Sequence, residues 1–163
     1  MKHSKPLLIG VGNEFRQDDG VGLAIVRQLQ AQLSPEVTTI EASGEGAALM
    51  DAWQGFDRVY LVDAVASGSP AGTIHRIDAQ QQSVPTQFFN YSTHAFSVAE
   101  AVELARSLNQ LPPQLVLFGM EGERFGMGVG FSEAVEQAVP QLLEQIMREV
   151  ATELVVESTI DYA

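Results

Sequence analysis

The sequence predicts an α/β domain: three layers, α/β/α, around a mostly parallel twisted sheet of about five strands, one of them a candidate antiparallel strand. Three observations predict it. Short apolar runs bounded by glycine or proline alternate with segments whose apolar residues recur at helical spacing. The run "RVYLVDAV" is apolar enough to lie buried on both faces, as an interior parallel strand must. No repeat, charge block or long linker divides the 163 residues, which suit one domain over 1–163 with a single core.

Each element follows from local pattern. "PLLIGVG" reads as a buried first strand between Pro6 and glycine. Val21, Ile25, Val26, Leu29 and Leu33 then recur at helical spacing, and Ser34-Pro35 ends that helix. "EVTTIEA" is β-branched and reads as a second strand, "GAALMDAW" as a short helix, and "RVYLVDAV" as the third strand. "AGTIHRID" alternates and reads as a more exposed strand at an edge. "QQQSVPTQFFNYST" reads as loop, "HAFSVAEAVELARSL" as a helix, and "PPQLVLFGM" as the last buried strand. A glycine-rich loop, "EGERFGMGVGF", precedes the helical "SEAVEQAVPQLLEQIMREVATEL", where Pro140 is expected to kink or break the helix. The terminal "VVESTIDYA" is open between extending that helix and fraying.

Composition narrows the function. The formal charge is −12, with Lys2 and Lys5 the only lysines. Such a chain disfavours a nucleic-acid backbone or an anionic membrane, and permits a basic protein or peptide, or a metal ion. There is no cysteine, so disulfides, thiolate ligands and a cysteine nucleophile are excluded. The apolar run before Gly10 is too short for a signal segment or a membrane span, and the expectation is a soluble, cytoplasmic monomer.

In sheets of this kind ligands bind beyond the carboxyl ends of the strands. Asp18 and Asp19 follow strand one, Asp63 ends strand three, His94 opens a helix, and the glycine-rich loop follows the last strand. A dinucleotide turn would need a third glycine where Phe15 stands, and two acids at a helix N-terminus would repel a phosphate. A phospho-accepting receiver domain would need a lysine at the end of its last strand, where this chain has none. Two carboxylates and one imidazole instead suit a divalent cation such as zinc or nickel, leaving positions open for substrate.

Structural roles compete with each of these. Asp18 or Asp19 could simply cap the first helix, which stands level with metal binding on position alone. Asp63 could brace a loop, and His94 could be an ordinary helix-start residue with Ser92 or Thr93 as cap. His75 reads as surface, and His3 as part of a mobile terminus. Glu121 and Glu123 read as solvated on a flexible loop, and Met120 and Met127 as packing. The glycines of 119–130 permit tight turns, and such a loop could also receive an extended peptide.

The stretch Gly10-x-Gly12-Asn13-(x)4-Asp18-Asp19-x-x-Gly22 resembles the opening motif of the nickel–iron hydrogenase maturation endopeptidases. "YLVDAVASGSPAGTI" resembles that family's strand-three segment, and "STHAFSVAEAVELA" its histidine-led helix, so the likeness runs from about residue 7 to 150. The resemblance implies metal binding by Asp19, Asp63 and His94, with Asp18 orienting the loop or capping the helix. It implies an endopeptidase that removes the C-terminal extension of a hydrogenase large-subunit precursor after nickel insertion. The nickel is then supplied by that substrate, and zinc or cadmium could occupy the same site. Metal-activated water is the favoured route of cleavage, with direct general-base action by Asp19 or Asp63 the lesser one. A non-catalytic nickel-sensing chaperone for the same precursor is the alternative. Where part of the family carries Gly-Gly-Thr after strand two, this chain has Ala42-Ser43-Gly44-Glu45-Gly46, and Ser43 and Glu45 are expected to alter what faces the substrate.

Overall fold

Leu7–Val11 is buried at every position and forms β1, an interior strand of a five-stranded sheet. The computed structural model describes residues 5–161, with side chains through residue 151; His3 lies outside the described residues. β2 (Thr38–Ala42) and β3 (Arg58–Val65) flank β1 in parallel, and β5 (Gln114–Glu121) lies parallel on the far side of β3. β4 (Ile74–Asp78) closes that edge antiparallel to β5, giving the order β2-β1-β3-β5-β4.

Alternation along β1 divides the apolar residues between two cores. Leu7, Ile9 and Val11 face α2 (Gly46–Trp53) and α3 (Val98–Ser107), through Leu49, Trp53, Val98 and Val102. Leu8 faces α1 (Val21–Gln30) and α4 (Glu133–Asp161), through Ile25, Leu29, Leu142 and Ile146. Both faces of the sheet are thus covered, which is why β3 and β5 carry nearly unbroken apolar runs. The chain leaves β1 for one neighbour by way of α1 and returns to the other by way of α2. That reversal opens a crevice at the carboxyl ends of β1 and β3, where a doubly wound sheet takes its ligand.

Several expectations shift. α1 stops at Gln30 rather than near Leu33, because the N–H groups of Gln32 and Leu33 both turn back to the carbonyl of Leu29. α4 runs through Pro140 without breaking: Pro140 is exposed, so water can satisfy the carbonyl its ring leaves unpaired. The helix continues to Asp161, so the terminal segment extends it as far as the described residues go.

Glu121 is not solvated. It ends β5, is 1% exposed, and accepts from the Ser67 backbone N–H at 2.7 Å, the Ser67 hydroxyl, and His75 Nε2 at 3.0 Å. His75, expected at the surface, is correspondingly half-buried. This cluster ties the connection between β3 and β4 to the end of β5.

α3 begins at Val98, not at His94. Its first turn is set by Glu100, whose carboxylate accepts from the Ser97 backbone N–H at 3.3 Å and the Ser97 hydroxyl at 2.8 Å. Replacing Glu100 with alanine removes that acceptor and is expected to cost about 1 kcal/mol in urea denaturation, with no change in the native circular dichroism spectrum.

Candidate functional site

Gly12 makes the crevice possible. Its φ is +146°, and a Cβ there would stand 1.9 Å from the carbonyl oxygen of Asp19. Only glycine lets the chain leaving β1 press against the Asp18-Asp19 segment, a short 3-10 turn over Gln17–Gly20. Gly20 is the N-cap of α1 with no side-chain cap, so neither aspartate caps that helix.

The adjacent aspartates meet opposite environments. Asp18 is fully buried and its carboxylate accepts four hydrogen bonds: Glu123 N at 2.8 Å, Arg124 N at 2.9 Å, and Ser132 N and Ser132 Oγ, each at 2.8 Å. Burial alone would raise its pKa, but these donors together hold it below the ordinary value. Asp18 therefore orients the glycine-rich loop, one of the two roles expected of it.

Asp19 turns into the crevice. Burial raises its pKa, and the Arg16 guanidinium, the Tyr91 hydroxyl, the Asn13 backbone and His94 only partly oppose that. Asp63, on β3 beyond Val62, is 3% exposed. Its Oδ1 accepts from Ala64 N at 2.8 Å and lies 3.4 Å from the Tyr91 hydroxyl. Burial and then the nearby charge of Asp19 push its pKa well above the usual carboxylate range. Two desolvated carboxylates in mutual repulsion make a place where positive charge is favoured.

His94 comes from the loop before α3, not from the helix. Ser92 Oγ accepts from His94 N at 3.1 Å, a local turn rather than a helix cap. Gly46 holds this loop in place: its N–H donates to the Phe96 carbonyl at 2.8 Å, and a Cβ on it would lie 2.2 Å from the Phe96 ring. Glu45 does not face the crevice as expected. It caps α2, accepting from Ala47 N at 2.9 Å and Ala48 N at 2.8 Å, whereas Ser43 does line the cleft.

Asp19, Asp63 and His94 all line one cleft of about 470 Å³, with Asn13, Phe15, Arg16 and Tyr91. Among the described residues, no three His, Cys, Asp or Glu side chains are gathered closely enough to hold a cation by themselves. The donor set, two carboxylates and an imidazole, fits a borderline divalent ion that brings further ligands of its own. A second cleft, of about 540 Å³, lies at the opposite end of the sheet, where Gly55–Asp57 and Pro112-Pro113 lead into β3 and β5.

Two residues of the site had no motif to announce them. Tyr91 stacks on Phe125 with centroids 4.0 Å apart, and its phenol donates to the Ala64 carbonyl beside the two carboxylates. Burial and those negative charges keep it protonated, its pKa well above the usual value. Arg16 donates to the carbonyls of Tyr91 at 3.1 Å and Phe125 at 3.0 Å, joining the loops around the cleft. An arginine two residues before an acid pair was the one available signal for it.

A family model described as hydrogenase maturation protease matches residues 23–149. The hydrogenase expression/formation protein HoxM of Cupriavidus necator is 31% identical over 71% of this chain and 58% of its own length. The chain thus spans little more than half of that relative, and likewise 53% of HupD of Thiocapsa roseopersicina. A putative hydrogenase maturation protease of Methanocaldococcus jannaschii is 32% identical over 78% of this chain and 82% of its own. The solved hydrogenase maturating endopeptidase HybD of Escherichia coli superposes with a TM-score of 0.77 at 25% identity, covering 91% of this chain and 93% of that one. No described helix is long and apolar enough to cross a membrane.

The two aspartates give predictions of opposite sign. Asp18, with a lowered pKa, contributes stability that is complete above the unfolded carboxylate value near 4 and is lost as pH falls through its lower folded value. Asp18→Asn should therefore cost about 2–4 kcal/mol in urea melts near neutrality, a difference that shrinks only in acid. Asp63, with a raised pKa, penalises the folded state once pH exceeds about 4. Asp63→Asn is expected to be more stable than wild type at pH 7, by an amount on the order of 1 kcal/mol or more that vanishes below about pH 4.

Proposed function

The chain belongs to the hydrogenase maturation protease family, and on that premise we propose that it is an endopeptidase that removes the C-terminal extension of a nickel-loaded hydrogenase large-subunit precursor. The observation that carries the reading is the convergence of Asp19, Asp63 and His94 on one cleft at the point where the sheet reverses its winding. The nickel arrives with the precursor as part of the substrate. Asp19, Asp63 and His94 take positions on it that the precursor leaves open.

Selectivity then comes from a difference in binding. A precursor without nickel leaves two buried carboxylates facing each other without a cation, and docks less well. A chain with no cysteine has no thiolate with which to strip the ion from its carrier. Docking on the ion fixes the scissile bond beside the carboxylates, and water attacks its carbonyl carbon. Nickel so held would lower the pKa of the attacking water, whose proton passes to the departing amine, and would relieve the repulsion from Asp19 that raises the Asp63 pKa in the free chain. Arg16 and Tyr91 hold the loops so that the carboxylates keep their places.

The test is cleavage of nickel-loaded and nickel-free precursor, read as the mobility of the large subunit on a gel. Wild type should cut only the loaded form, and Asp19→Ala, Asp63→Ala and His94→Ala should each lose at least about a hundredfold in rate. Undiminished cleavage by a variant would remove that residue from the mechanism. A stable complex that releases no peptide at any nickel level would favour a nickel-sensing chaperone instead.

A further inference from the structure

Beside the cleft, two loops expose apolar side chains that no described residue covers. Phe15 is 60% exposed, Met127 89% and Val129 78%. The other exposed large apolar residues of the described chain, Leu104 and Leu108, lie on α3 and at its end.

These loops are held firmly. The Gly128 carbonyl accepts from Gln17 N at 3.0 Å, and Gly128 N donates to the Phe15 carbonyl at 2.9 Å, a parallel bridge centred on Arg16. Gln17 Oε1 accepts from Gly126 N at 3.2 Å, and Asp18 ties down Glu123, Arg124 and Ser132. Met127 and Val129 flank the bridging glycine and so stand across from Phe15 and Gln17. Phe15 also lines the cleft with Asp19, Asp63 and His94, which makes the apolar surface continuous with the mouth of the site.

Apolar groups fixed in water on a braced backbone lose little further entropy when a partner covers them, so the full gain of burial goes to binding. Position selects the partner: the surface adjoins the mouth of the cleft, so a polypeptide entering the cleft must pass over it. We propose that Phe15, Met127 and Val129 form the docking surface for the apolar segment of the large-subunit precursor that adjoins the extension being removed. The inference rests on the proposed function and adds the element that binds the precursor's polypeptide, distinct from the groups that meet its nickel.

The experiment measures Kd and steady-state cleavage of nickel-loaded precursor by wild type, by Met127→Ser/Val129→Ser, by Phe15→Ser, and by the control Leu104→Ser/Leu108→Ser. The Met127/Val129 pair is so exposed that the substitutions leave the core intact, checked by thermal melting. Its Kd and KM should rise about tenfold with kcat within twofold of wild type, and Phe15→Ser should shift in the same direction. The α3 control should match wild type. An active wild type whose Met127/Val129 variant keeps its Kd and KM overturns the docking surface and leaves the proposed function standing. A wild type that neither binds nor cuts the precursor overturns both. Binding without cutting, weakened tenfold by the Met127/Val129 pair, supports the surface and overturns the protease reading.

Discussion

The site depends on one buried carboxylate. Asp18 lies in the interior, where an unpaired charge would be costly, and is tolerated because four donors from the loop after β5 point at it. The same four bonds bring that loop against the segment leaving β1. Asp19 is the next residue, so the direction in which its carboxylate points is settled by what its neighbour holds. Phe15 and Arg16 are positioned by the same contact, and through Arg16 so are Tyr91 and Phe125.

Side by side in sequence, the two aspartates meet opposite electrostatic environments. Asp18 has its lone pairs filled and its charge favoured; Asp19 and Asp63 are desolvated, close to each other and short of donors. The fold tolerates the second arrangement because the first holds the surrounding backbone. Tyr91 moderates the tension without ending it, since a phenol has one proton and that proton has the Ala64 carbonyl as its nearest acceptor. What remains in the cleft is a pair of carboxylates whose charge the Arg16 guanidinium only partly balances.

Much of this was legible in the sequence. The apolar runs marked the sheet, and alternation in "AGTIHRID" placed β4 at an edge, because those signals are local and the burial they report is nearly complete. The rule of strand ends also pointed to the Asp18-Asp19 pair, Asp63 and His94; of these Asp19, Asp63 and His94 line one cleft, whereas Asp18 turns inward. Long-range pairing was harder to read. Glu121 looks solvated among glycines and charges until Ser67 and His75 arrive to pair with it. Met127 looks like a packing residue until the loop is folded back by Asp18 and leaves it outside. The start of α3 was misplaced because Ser92 and Ser97 both suit a cap, and only Glu100 distinguishes them. Tyr91 owes its place to stacking and to partners on β3, which no local pattern encodes.

The bond from Ser132 to Asp18 spans 114 residues of chain. On the ribosome, the segment carrying Asp19 therefore emerges long before the loop that will orient it, and must wait for β5 and the start of α4. The nascent protein has its three candidate ligands in hand by residue 94 yet lacks the frame that aims the first of them. The frame is therefore complete only once the segment through Ser132 has been made, and a product that stops short of it carries the candidate ligands without the frame.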